Sequence, residues 1–100
     1  MINATTSGDN LIISSNSTPI IILGLFLVTD TQMYVRYKNG TNNPVSGPIF
    51  LFQGGSHNLN QQDVPYFVCG AGSGTSGGFY INLSTSGIVG GTLYYTLGGA

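Results

Sequence analysis

The apolar residues of this chain come in short runs. None repeats at i, i+3, i+4 and i+7 without an intervening Gly or Pro, so the pattern predicts strands and no long helix. Leu11-Ile12-Ile13 reads as a first short strand behind a polar leader, with residues 1–9 as a flexible N-terminal arm. Ile20 to Val28 is apolar at positions of both parities, as in a central strand covered on both sides, and Gly24 within it marks a bulge or bend. From Met33 the pattern alternates: Met33, Val35 and Tyr37 point one way, Tyr34, Arg36 and Lys38 the other. Asn39-Gly40 follows at once and predicts a hairpin with a type I′ turn, both central residues at positive φ.

Pro44, Gly47 and Pro48 break the return, after which Ile49 to Phe52 forms a strand ended by Gly54-Gly55. Asn58 to Gln62 is polar and reads as a loop or an edge. Tyr66 to Cys69 is the next strand, led in by Pro65, and the Gly/Ser/Thr-rich stretch from Gly70 to Gly78 reads as a flexible loop. Phe79, Ile81 and Leu83 alternate against Tyr80 and Asn82. Ser84 to Gly87 turns the chain, Gly90-Gly91 breaks it, and Leu93, Tyr95 and Leu97 alternate against Tyr94 and Thr96 in a last strand. Seven or eight short strands punctuated by turns predict an all-β fold, a small antiparallel β-sandwich of jelly-roll or immunoglobulin-like type. One hundred residues suffice for one such domain spanning the whole chain and are too few for two independent cores.

Charge changes this picture most. Lys plus Arg number 2 and Asp plus Glu 3, which is 5% of the chain, where about a quarter is usual. With only Arg36 and Lys38 basic, no stripe exists to neutralise phosphates, which argues against nucleic acid and anionic membranes as partners. The apolar run from Ile20 is far shorter than the ~20 residues of a membrane-spanning helix. Residues 1–19 carry no Lys or Arg to open a secretory signal, so the mature chain is expected to begin at or near Met1. A net charge of −1 gives little self-repulsion, and association is the expected behaviour.

Candidate chemistry is sparse. Cys69 is the only cysteine, so no intrachain disulfide forms and a Cys-based zinc site lacks its ligands. His57, Asp63 and Cys69 are the only residues that could supply base, orienter and nucleophile, and their spacing has no mechanical meaning; they read as a loop histidine, a turn aspartate and a buried thiol. Glu is absent, so a paired-carboxylate hydrolase would draw on Asp9, Asp30 and Asp63 alone. Gly70-Ala71-Gly72-Ser73-Gly74 has the look of a phosphate loop but is followed by no Lys and no helix. The expectation is therefore no catalytic activity, no cofactor, no metal and no small-molecule ligand. Tyr34, Tyr80 and Tyr94, on the faces opposite the expected core, together with Arg36, are the candidate interface residues; such aromatics serve sugar platforms and protein interfaces alike, and without clustered acids the interface is preferred.

The stretch Val-Arg-Tyr-Lys-Asn-Gly-Thr-Asn-Asn-Pro-Val-Ser-Gly from Val35 to Gly47 resembles a pattern in small phage virion proteins, an aromatic-basic strand meeting a Ser/Asn-Gly turn and a Gly-Pro step. Gly54-Gly55, Pro65-Tyr66-Phe67, Phe79 to Ser84 and Val89 to Tyr95 are similar to the same group, so that the resemblance covers roughly residues 33–97. It implies a β-sandwich that decorates or cements the exterior of the phage capsid by bridging neighbouring subunits of the major capsid protein, often as a homotrimer. The alternative is a carbohydrate- or receptor-binding module of a phage tail or fibre. A trimer would also cover strand edges that only Arg36 and Lys38 guard, and with so few charges its association is expected to respond little to salt.

Overall fold

The computed structural model describes residues 2–14, 19–41, 43–62, 66–69 and 78–97. The predicted stretch 70–77, together with Asn42, Asp63 and Pro65, lies outside them. The described residues form no helix and ten strands: β1 (Ile2–Ala4), β2 (Gly8–Ile13), β3 (Ile20–Thr29), β4 (Met33–Asn39), β5 (Asn43–Pro44), β6 (Ile49–Leu51), β7 (Ser56–Leu59), β8 (Phe67–Cys69), β9 (Phe79–Leu83) and β10 (Val89–Leu97). They make two antiparallel sheets packed together. In the first, sheet A, the order is β1-β10-β3, with β7 and β8 sharing the far edge of β3. In the second, sheet B, it is β2-β9-β4, with β5 and β6 sharing the far edge of β4.

The chain forms ten strands rather than the seven or eight expected because each of those two edges is interrupted. Along β4, Pro44 and Pro48 split the return into β5 and β6, and Ser46 fills the gap: its Oγ accepts from Tyr37 N at 2.9 Å, while Val45 N donates to Tyr37 O at 2.9 Å. Along β3, Gln62 N donates to Leu23 O and Tyr66 N to Ile22 O between β7 and β8. Counted as positions, the fold has four per sheet. Apart from the β4–β5 hairpin, each step from one position to the next crosses between sheets, which is the connectivity of a jelly roll; an immunoglobulin sandwich alternates such crossings with pairs of successive strands in one sheet.

Residues expected in a free N-terminal arm instead form β1 and the start of β2. Ile2 and Ala4 are buried because β1 pairs with β10, Ile2 opposite Gly91 and Ala4 opposite Val89. β3 is central in sheet A as expected, but it is not covered on both sides, since its outer face exposes Phe26 and Val28; the register against β10 shifts beside Gly24, where the bulge was expected. The reversal after β4 also stands where expected, but its geometry differs. Asn39 closes the ladder opposite Asn43, no described residue other than glycine has positive φ, and Asn39 therefore lacks the positive φ that a type I′ turn at Asn39-Gly40 requires, while Gly40 is left-handed at φ +68°. Gly90-Gly91 does not break the last strand: β10 runs straight through it.

The core lies between the sheets. Leu25, Leu27 and Ile22 of β3 and Val89 and Leu93 of β10 face Val35 and Tyr37 of β4 and Phe79, Ile81 and Leu83 of β9. Gly91 shares the inward parity of Val89 and Leu93 but has no room for a side chain: a Cβ there would stand 1.8 Å from the Phe26 carbonyl oxygen, on a backbone at φ +156°. Gly91→Ala is expected to lower stability by about 3 kcal/mol, since β10 must leave β3 to relieve the overlap. Gly47→Ala, where nothing lies within 4 Å, should stay within about 0.5 kcal/mol of the parent. Chemical denaturation of the two variants checks the contrast, and equal midpoints would contradict it.

Candidate functional site

A polar contact inside the core joins the two sheets. Tyr37 points inward from β4, is fully buried, and places its hydroxyl 2.6 Å from Nδ1 of His57 on β7 of the opposite sheet. Its ring packs against Phe67 of β8 and Phe79 of β9, with centroids 5.4 and 5.9 Å away. A buried phenol with one partner donates to it, so the neutral His57 accepts at Nδ1 and carries its own hydrogen on Nε2. Burial holds the Tyr37 hydroxyl well above the ordinary phenol range and lowers the His57 imidazolium below its ordinary value, so both groups are held neutral.

His57 was read as a loop residue; it lies on edge strand β7, with its Nδ1 engaged by Tyr37. Cys69 ends β8, paired with Ile20 and buried, and burial pushes its thiol up to about 11, so at neutral pH it is a protonated apolar group. Asp63 lies outside the described residues. Asp30 sits in the β3–β4 connection, where one carboxylate oxygen accepts from Thr31 Oγ1 at 2.7 Å and Ile88 N at 2.8 Å. These two hydrogen bonds, that of Thr31 first, hold its carboxyl below the ordinary range. Asp9 is bound to Lys38 Nζ at 3.0 Å and accepts from Asn82 Nδ2 at 2.8 Å. Asp9 and Asp30 are thus engaged in separate structural contacts. Among the described residues no cavity opens and no three His, Cys, Asp or Glu side chains converge.

What the surface does present is aromatic. On the outer face of sheet B, Tyr34 of β4 stands opposite Phe50 of β6 with ring centroids 5.1 Å apart, and Phe50 meets Phe52 edge-on at 4.7 Å. All three are exposed, Phe52 by 68%. Arg36 is the next outward residue of β4, about 7 Å along the strand from Tyr34. Phe50 and Phe52 are the residues missed by the sequence reading. The unbroken run Ile49-Phe50-Leu51-Phe52 looks like a strand buried on both sides, whereas β6 is an edge whose outer face is open. The rings meet at 57° and 83°, a herringbone rather than the flat array on which sugar rings stack.

The four candidate interface residues do not share one face. Tyr34 and Arg36 lie on the outer face of sheet B. Tyr80 has the same outward parity, between Leu11 and Lys38, yet is only 7% exposed and so offers little to a partner. Tyr94 is on sheet A, opposite Gly24, on an outer face that also exposes Phe26, Val28 and Val68. Both outer faces of the sandwich therefore carry exposed apolar groups. Comparison with protein-family models, curated proteins and solved structures finds no match to this chain.

The neutral core groups set a pH window for stability. The His57 imidazole has its affinity for protons lowered by folding, so its contribution is complete above the ordinary value of 6.5 and is lost as pH falls through it. At the alkaline side the Cys69 thiol ionises near 9.0 when unfolded and about 11 when folded, and stability declines as pH rises across that interval. Tyr37 adds to the decline only above its unfolded value of 10.0. The thermal midpoint of the parent should thus begin to fall near pH 9.0 and that of Cys69→Ala near pH 10.0. Coincident alkaline profiles of the two proteins would contradict this assignment.

Proposed function

We propose that this chain is a phage virion structural protein that decorates the exterior of the capsid, bridging neighbouring subunits of the major capsid protein. The observation that carries the reading is the split of exposed apolar groups between the two outer faces of one rigid sandwich. Tyr34, Phe50 and Phe52 lie on one, and Phe26, Val28, Val68 and Tyr94 on the other. A bridge needs two contact faces on an element that does not bend between them, and the shared core supplies that stiffness. A surface this poor in charge has little to keep it in solution alone. Repetition over a lattice multiplies weak contacts into avidity, so no single deep site is needed.

The jelly roll is used by both viral capsid proteins and lectins, and fold alone does not choose between them. The herringbone packing of Tyr34, Phe50 and Phe52 favours the structural role over the alternative, a carbohydrate- or receptor-binding module of a tail or fibre, which would present rings in a plane.

In this reading the outer face of sheet A carries contacts between copies, and a trimer fits the threefold positions of an icosahedral lattice. Light scattering on the isolated chain is expected to give a trimeric mass that changes little from low to molar salt, because the contacts are apolar. The pair Phe26→Ser and Val68→Ser should return it to a monomer. A monodisperse parent monomer, or a trimer that dissociates with salt, would sink the assembly as stated.

A further inference from the structure

One charge on the described surface has no partner within the chain. Lys38 is held by Asp9, Asp9 also by Asn82, and Asp30 by Thr31 and Ile88 N. Arg36 makes no ion pair or hydrogen bond among the described residues, and its Nε is shielded from solvent with no acceptor. Its cross-strand neighbour on β9 is Asn82, whose amide already donates to Asp9 in the same row. Leaving a shielded guanidinium N–H unbonded is costly, and water does not reach it to compensate. The Tyr34–Phe50–Phe52 cluster lies beside it on the same face.

We infer that the outer face of sheet B docks a protein surface presenting a carboxylate among apolar side chains, with Arg36 taking the carboxylate and Tyr34, Phe50 and Phe52 covering the apolar surround. The inference rests on the decoration reading, in which that surface belongs to the capsid shell. The planar guanidinium matches a carboxylate through paired N–H donors, and drawing it outward satisfies Nε at the same time. Tyr34 at the adjoining outward position, with Phe50 opposite it, flanks one side of Arg36, and apolar cover there shields the pair from water, so salt screens it weakly. Among the described residues a second copy of this chain is a poorer occupant, because their two carboxylates, Asp9 and Asp30, are already engaged. A phosphate backbone is poorer still, since the one unpaired cation among the described residues neutralises one charge.

The test is co-sedimentation of the full chain with purified phage heads assembled without it. The parent is expected to bind. Arg36→Gln should weaken binding about tenfold or more, Arg36→Lys should recover only part of the loss, and Tyr34→Ser should weaken binding comparably. Thr85→Ala, in an exposed loop, should stay within about twofold of the parent. The thermal midpoint of Arg36→Gln should be no lower than the parent's, because the side chain makes no bonds in the free protein and its shielded Nε–H is a cost there; this separates lost docking from lost folding. Parent binding that is unchanged in Arg36→Gln would overturn the inference and leave the decoration reading standing. Failure of the parent to bind heads would overturn that reading and the inference with it.

Discussion

A phenol hydroxyl is tolerated inside an apolar sandwich only if it finds an acceptor, and in this chain the acceptor belongs to the opposite sheet. Tyr37 on β4 reaches His57 on β7, and the same ring packs on Phe67 and Phe79. The contact fixes the offset of the sheets at the side where both edges are made of short, interrupted strands. β7 and β8 have only three or four residues each, too few to hold their register by ladder bonds alone. With the Tyr37 hydroxyl bonded, edge strand β7 of sheet A is tied to β4 of sheet B. Without it, a buried donor is left unsatisfied in the middle of the core.

That tie joins the two sheets into one sandwich whose two outer faces both carry exposed apolar groups. The charges that exist are spent mainly on its construction: Asp9, Lys38 and Asn82 bind β2, β9 and β4 together across sheet B, and Asp30 clasps the β3–β4 turn to Ile88. Among the described residues, what remains for other molecules is apolar and aromatic surface plus one guanidinium. Surface of this kind is costly for a freely diffusing monomer and useful on a lattice, where the same contacts are repeated and buried.

Period-two alternation made β4 and β9 legible with the correct faces, and two-sided apolarity placed β3 at the centre, because those strands are long enough for pattern to outweigh local noise. Features of two to four residues were harder to read. β1 is a single Ile-Asn-Ala, and β5 is an Asn-Pro pair that only the hydrogen-bond ladder identifies as strand. Gly90-Gly91 looked like a break because glycine usually weakens strands; it is retained where the Phe26 carbonyl leaves no room for a Cβ. Alternation gave Tyr80 its outward parity, but outward did not mean exposed. Phe50 and Phe52 escaped notice as surface residues because an apolar run does not say whether its strand lies at an edge. Their pairing with Tyr34 is a long-range fact of topology, as is the bond between Tyr37 and His57, twenty residues apart in sequence.

The claim that the rest serves is that this sandwich works as a repeated part of a shell. A cryo-electron map of a virion that encodes the chain tests it most directly. The account predicts density for this jelly roll at every equivalent lattice position on the outside of the head, each trimer touching more than one capsid subunit. Density confined to the tail or its fibres, or its absence from the particle, would contradict it.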